Sequence, residues 1–423
     1  MAETVADRVR KVMDGAGASQ AAFGRSIGLS ADKLSKSLKG TRRFTSLDLA
    51  RIAEEGSTTV DWLLSGREPL RPAFAARTTA PIGTDATREE LRTLVERFTA
   101  AYEVLELLGR QAQLPTLPTL PGLPASPSDG AEVADGPADG TGSSSSGAGL
   151  ERHVEQGEAL AAEALELTGR AGALPVAECE TAELVAALER AFGVDVAKAE
   201  LPRGVDGAAW QADGFRLVLL RAGAAWTRQR FTLAHELGHI LARDAQDMLT
   251  ETRLSPGRQK DLGEVRANVF AANFLMPRAE ITAALGGRRP TDEDFRSLVV
   301  RFKVSPSALA ARLEGLGAID SEQCARWRTL TAKACHLLAG RGEDFEARAA
   351  WAQAHRIPPR PARALYEAYL AGDTTLRTLA AYCETDPEEL HAALEPGTAE
   401  VFEAASLPLA HAGTETGDLV FQP

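Results

Sequence analysis

His235-Glu236-Leu237-Gly238-His239 is the stretch whose residue types and spacing point most directly to chemistry. In a chain of 423 residues with seven His, this pattern arises by chance about 0.01 times. On a helix, residues four apart lie one above the other, so both imidazoles project from one face toward a single point. Zn–N bonds of about 2.0–2.1 Å suit that spacing. Glu236 is adjacent but angled off, placed to take a proton from an attacking water without ligating the ion. Gly238 is expected to keep the helix surface low where a strand or substrate approaches.

A catalytic tetrahedral site needs a third protein ligand and one open position. The metzincin continuation requires Gly at 242 and His at 245. Both are Ala here, which excludes that branch. Asp244, Asp247, Glu251, Asp261 and Glu264 remain. Glu264 is favoured because it opens a clear helix, Leu262 to Met276, with small Ala267, Ala271 and Ala272 that allow close approach to the His235 helix. A carboxylate on a second rigid helix is also better held than one in the polar loop 244–257. Asp244 is the runner-up. His153, His336, His355, His391 and His411 have no such partners and read as surface or cap residues.

The elements that must position these groups follow from periodicity. Trp226–Leu241 reads as a buried helix, and Glu158–Leu167 and Thr181–Phe192 as helices before it. Between them, Val194–Val196, Ala208–Gln211 and Phe215–Leu220 read as short strands, with Gly204, Gly207 and Gly214 marking turns. The strand around Phe215–Leu220 precedes the metal helix and is expected to be an edge that binds substrate by strand addition. Arg228, Arg230 and a residue from the sheet are the candidate oxyanion donors, and the sequence does not choose among them.

Upstream lies a different kind of module. Ser19 caps a helix beginning at Gln20, Gly28 breaks it, Ser30 caps the next, and Gly40 ends that one. Phe23, Ile27, Leu29, Leu34 and Leu38 face inward with Ala22, leaving Asp32, Lys33, Ser35, Lys36 and Lys39 outside. From Arg25 to Arg51 there are seven basic and two acidic residues, in a chain of net charge −12. Local positive charge beside a capped, solvent-facing helix is what docking on phosphates and reading a major groove require.

Two resemblances follow. Residues 5–66, including the closing Thr59 to Gly66, resemble the phage-repressor (XRE/Cro) class of helix-turn-helix domain. That likeness implies Ala31, Asp32, Lys33 and Lys36 near base edges, and Gln20, Arg42 and Arg43 near phosphates. Arg228–Leu241, Glu264–Pro277 and Phe302–Leu313 resemble the ImmA/IrrE metallopeptidases over about 160–317. That likeness implies Zn2+ held by His235, His239 and Glu264, Glu236 as general base, a small gluzincin-like fold, and limited proteolysis of a helix-turn-helix repressor.

Composition bounds the rest. The balance of −12 excludes a protein basic throughout, and no run of about 18 apolar residues suggests a membrane span. The first residues lack a signal-peptide pattern, and Cys179, Cys324, Cys335 and Cys383 form no CxxC pair, so the chain reads as cytoplasmic with reduced thiols. Arg outnumbers Lys 39 to 8, which fits a high-GC bacterial source.

Residues 111–150 contain six Pro, seven Gly and six Ser, with Pro115, Pro118, Pro121, Pro124 and Pro127 at every third position. That composition reads as a stiff polyproline spacer followed by a floppy one. Residues 86–110 form an amphipathic helix, with Leu91, Leu94, Val95, Phe98, Tyr102, Leu105 and Leu108 at 3/4 spacing, which either pairs with a second copy in a homodimer or packs on its own chain. Helical patterns at Pro361–Leu370, Thr375–Tyr382 and Pro387–Leu394 close the chain in an acidic cap or partner-docking surface.

The expected architecture is therefore multidomain and mainly α. It comprises an all-α helix-turn-helix domain (1–77), a connecting helix (78–110), a disordered linker (111–150), an α+β zincin-like metallopeptidase domain (151–317) and a helical C-terminal extension (318–423). The expected function is a regulator that binds operator DNA and cleaves a repressor, or itself, to derepress stress, phage or mobile-element genes. The alternatives are a non-cleaving DNA-binding sensor whose zincin fold binds metal or ligand, and a phage-defence or antitoxin component acting by protein contact.

Overall fold

A computed structural model of the chain describes residues 4–16, 19–56, 58, 60–65, 73–78, 85–120, 123, 145–212, 214–244 and 258–394. The chain divides into two compact units, residues 1–71 and 72–423.

The first unit contains α1 (Val5–Gly15), α2 (Gln20–Ser26), α3 (Ala31–Leu38), α4 (Ser46–Glu55) and α5 (Val60–Ser65). Side-chain oxygens of Thr4, Ser19, Ser30 and Thr45 accept from the first turns of α1 to α4, so each start is written locally. Val9, Phe23, Ile27, Leu34, Ile52 and Leu63 form its core. Gly24 lets α2 meet the turn into α3: a Cβ there would lie 2.9 Å from the Leu29 carbonyl oxygen. Arg8 ties α1 to α5 by donating to the carbonyls of Leu63 (2.9 Å) and Leu64 (2.8 Å).

The second unit begins with β1 (Ala73–Thr78) and α6 (Asp85–Leu107), followed by α7 (Ser145–Arg170) and α8 (Thr181–Phe192). Then come β2 (Asp195–Ala199), β3 (Val205–Ala212), β4 (Phe215–Arg221) and α9 (Trp226–Ala242). Helices follow throughout: α10 (Arg258–Leu275), α11 (Arg278–Leu285), α12 (Asp292–Phe302), α13 (Pro306–Gly315), α14 (Ser321–Arg328), α15 (Ala332–Leu338), α16 (Gly342–Gln353), α17 (Pro359–Ala371), α18 (Leu376–Cys383) and α19 (Pro387–Ala393).

A mixed three-stranded sheet, β2 parallel to β4 and β4 antiparallel to β3, gains β1 antiparallel on the far side of β3, giving the order β1-β3-β4-β2. This corrects two expectations. Residues 73–77, counted with the first domain in the sequence, and Thr78, counted with the connecting helix, form a strand of the second unit's sheet. The strand around Phe215–Leu220 is interior, because both of its edges are paired. The remaining edge of β2 is met at one point, by a two-way backbone bridge between Lys198 and Arg356 (2.9 and 3.0 Å).

The amphipathic helix α6 packs on its own chain. Tyr102 stacks on Phe215 with ring centroids 4.5 Å apart and donates to Asp195 at 2.6 Å, while Phe98 meets Tyr382 edge-on. The spacer reading does not hold for residues 111–120. Leu117 is buried in the main core, Arg216 donates to the Pro115 carbonyl (2.8 Å), and Arg243 donates to those of Pro118 (2.8 Å) and Leu117 (3.2 Å). Composition lacks the apolar surface to fold alone, but three docked carbonyls and one leucine fix this strap. The Gly/Ser-rich stretch 124–144 lies outside the described residues.

The C-terminal helices share the metal domain's core through Cys324, Trp327 and Cys335, and ion pairs clamp them to it. Arg348 binds Glu180 (2.7 Å), Arg356 binds Glu189 (2.8 Å) and Arg360 binds Asp195 (2.6 Å). His336, read from the sequence as a surface or cap residue, is not on the surface. It is fully buried, its Nδ1–H donating to the Ala332 carbonyl (2.8 Å) and its Nε2 accepting from Arg348 (2.9 Å). None of the four cysteines is in a disulfide, and among the described residues no helix is long and apolar enough to cross a membrane.

Candidate metal centre

Helix α9 is buried nearly all round, as a helix lying under a sheet and between other helices must be. Several of its buried donors are matched: Gln229 Nε2 donates to the carbonyls of Arg221 (2.6 Å) and Ala352 (2.8 Å), and Arg230 to that of Val176 (2.6 Å). Burial pulls the Arg230 guanidinium down to about 10. Arg230 therefore serves the core and is no oxyanion donor. Arg228 is half exposed and pairs with Asp206 at 3.1 Å.

Close helix packing brings the third ligand in. A Cβ on Gly238 would lie 3.0 Å from Phe270 and 3.3 Å from the Ala267 Cα, so it is α10 that approaches there rather than a strand or substrate. On the other flank of α10, a Cβ on Gly157 of α7 would lie 2.7 Å from the Arg266 carbonyl oxygen. Two glycines thus seat α10 between α7 and α9. Gly207 is also reassigned: it lies within β3 rather than at a turn, and a Cβ there would strike the Thr232 methyl and approach Glu236 Cγ to 3.5 Å. The sheet can touch α9 beside Glu236 only because that Cβ is missing.

His235, His239 and Glu264 converge, with ligand atoms within 4.8 Å of one another. The two Nε2 atoms are 3.1 Å apart, and the Glu264 oxygens lie 3.3 Å from His235 Nε2 and 3.4 Å from His239 Nε2. Ligands about 2.0–2.2 Å from a tetrahedral ion are separated by about 3.3 Å, so the donor set fits one ion. His235 Nδ1 faces Asn268 Oδ1 (3.2 Å) and His239 Nδ1 faces Asp244 Oδ2 (2.8 Å). With each Nδ1 carrying a hydrogen toward an oxygen, both Nε2 lone pairs point at each other and at a carboxylate. Such a set calls for positive charge at its centre. Burial pulls His239 down, yet the bonds to Asp244 and Glu264 outweigh it and push the ring up to about 10, so a proton on Nε2 supplies that charge and a metal ion would have to displace it. Burial would raise Glu264, but both histidines hold it well below the usual carboxylate range.

Asp244, the sequence runner-up for third ligand, stands behind His239 instead. It also pairs with Arg266, which donates to Gln156 at 3.0 Å. The positioning roles of Asn268 and Asp244 escaped the sequence reading. A signal existed for the first, since Asn268 is one turn beyond Glu264 on the same face. Asn268 also lines a groove of about 840 Å3 together with Thr227, Phe231 and Asn273. Glu236 is fully buried beside the triad. Asp247 and Glu251 lie outside the described residues.

In the first unit, Gln20, Ala31, Asp32, Lys33, Lys36 and Arg43 are all exposed. Lys36 and Asp32 form an ion pair at 2.8 Å on α3. Arg42 is drawn inward, to Asp48 (2.8 Å) and Ser37 (2.9 Å).

Residues 190–314 match the family described as IrrE N-terminal-like domain (Peptidase_M78). The radiation response metalloprotease IrrE of Deinococcus radiodurans is 35% identical over 94 residues, 22% of this chain and 29% of that protein. The protein of the same name from Deinococcus deserti is 36% identical over 101 residues, 23% and 36% of the two chains. The match thus spans about a third of the length of these curated relatives. With His235, Glu236, His239 and Glu264 all inside the matched stretch, residues 190–314 of this chain form an IrrE N-terminal-like domain.

Proposed function

We propose that the second unit is a zinc-dependent endopeptidase that cleaves a helix-turn-helix repressor or this chain itself, and that the first unit binds operator DNA through α3. The observation that carries the peptidase reading is the convergence of His235, His239 and Glu264 beside a buried, non-ligating Glu236. Nε2 of both histidines and the Glu264 carboxylate are the groups that hold Zn2+, which when bound supplies Lewis acidity to a water and a scissile carbonyl. The Glu236 carboxylate receives the proton of the attacking water and delivers it to the departing amine nitrogen. Asp244 and Asn268 fix the tautomers of the two rings, so that their Nε2 atoms remain acceptors. Arg228, on the rim of the groove, is positioned to contact the substrate.

The DNA reading is supported by the net +5 between Arg25 and Arg51 and by the exposed Lys33 and Lys36 on α3. The two Deinococcus relatives are named as radiation response metalloproteases. A stress-linked derepression role for this chain is consistent with those names.

The test pairs wild type with Glu236→Gln, with zinc measured in both and each incubated with repressors encoded beside the gene. Equal zinc with cleavage by wild type alone supports the peptidase. Zinc in both with no cleavage, whether or not DNA is present, favours a metal-binding sensor.

A further inference from the structure

We infer that the outer edge of β3 is a peptide-binding surface, and that its resident partner is this chain's own segment Ala73–Thr78, held there in cis as β1. The strand β3 has one edge on β4 and the other on β1, in the register Ala73↔Gln211, Phe74↔Trp210, Ala75↔Ala209, Ala76↔Ala208 and Arg77↔Gly207. It is the strand that meets the metal helix beside Glu236, through Gly207. The backbone at position 77 therefore runs opposite the β3 residue that lies against α9 beside the proposed general base. Pairing turns irregular between Arg77 and Thr78, immediately beyond that point.

An extended peptide adds to an open sheet edge through its main chain, and here a six-residue strand has done so. It comes from outside the IrrE-like stretch 190–314, directly after the first unit ends at residue 71. The segment is half alanine, with no proline, so its backbone is suited to pair without demanding side-chain pockets. A tethered strand competes at an effective concentration of about millimolar, well above that of a free peptide. On the peptidase reading, a substrate takes the same edge as an extended strand and must first displace β1. That consequence rests on the reading above, whereas the pairing itself does not.

The test uses the full zinc-loaded chain in the Glu236→Gln background, so that nothing is cut. A fluorescent synthetic peptide with the sequence of residues 72–79 is titrated into this protein and into the same protein carrying Ala75→Pro and Ala76→Pro. Successive N–H groups point to opposite sides of a strand, so one of the two prolines removes a bond to β3 whichever it is. The peptide should bind the proline variant at least tenfold more tightly than the parent. Hydrogen exchange provides a second measurement that needs no variant. The β3 amides that point away from β4 should be protected in the parent chain. Equal peptide binding to both proteins, or exchange of those amides at the rate of an open edge, overturns the proposal. Absence of cleavage by the wild type bears only on the peptidase reading and leaves both of these measurements intact.

Discussion

His239 is held from behind by Asp244: Nδ1 and Oδ2 lie 2.8 Å apart, which leaves Nε2 to face His235 and Glu264. Burial would raise the Asp244 carboxyl, but the bond from His239 and the charge of Arg266 keep it below its ordinary value, so it remains an acceptor. Partners of this kind are worth about 10–100-fold in metal affinity. Asp244→Ala should weaken zinc binding by about that factor without abolishing it, as measured by competition with a chromophoric chelator. Unchanged affinity would reduce Asp244 to a packing residue.

The contact between Gly207 and Thr232 makes a second test. Gly207→Ala places a methyl group against the Thr232 methyl and 3.0 Å from the Leu219 carbonyl oxygen, so β3 must lift from α9. Overpacking of this kind costs about 1–3 kcal/mol. Thermal unfolding should fall accordingly, and Thr232→Ser, which deletes the obstructing methyl, should restore part of the loss. Equal stability of Gly207→Ala and wild type would contradict the packing described.

Much of the site was legible because it depends on local periodicity. Two histidines four apart on a helix, and a glutamate on the next helix, carry their geometry in their spacing, although that helix starts at Arg258 rather than at the expected Leu262. What was illegible depends on contacts between distant segments. A glycine inside a strand and a glycine at a turn look alike until Thr232 is seen against Gly207. A proline-rich tract looks like a free spacer until Arg216 and Arg243 are found on its carbonyls. Strand order was equally hidden, because β2 pairs beyond β4 to make β4 interior, and β1 arrives from residues 73–78 to cover β3.

Lys198 offers a pH signature away from the metal. It is buried over the Trp351 ring, its Nζ 3.4 Å from the ring centroid, and burial pulls the ammonium down to about 7 from 10.5. Between those two values the unfolded chain binds more protons than the folded one, so this group makes stability rise with pH. Below about 7 both states carry the proton and the buried charge imposes its full cost. Lys198→Met removes the dependence. The melting temperature of wild type should therefore gain on that of the variant as pH rises from about 7 to 10, and parallel curves would contradict the assignment.

For the first unit, Lys33→Ala with Lys36→Ala should abolish operator shifts in an electrophoretic assay, each lysine being worth about 1–3 kcal/mol if it reads a base. Arg42→Ala should act mainly on stability, since Arg42 is bound to Asp48 and Ser37. Undiminished shifts by the double variant would remove α3 from the DNA interface.

The most direct measurement is metal stoichiometry across four purified proteins: wild type, Glu236→Gln, His239→Ala and Glu264→Ala. One zinc per chain is expected in wild type and Glu236→Gln, and none in the other two after dialysis against a mild chelator. A full equivalent retained by Glu264→Ala, or lost by Glu236→Gln, would contradict the division of these residues into three that grip the ion and one that moves the proton.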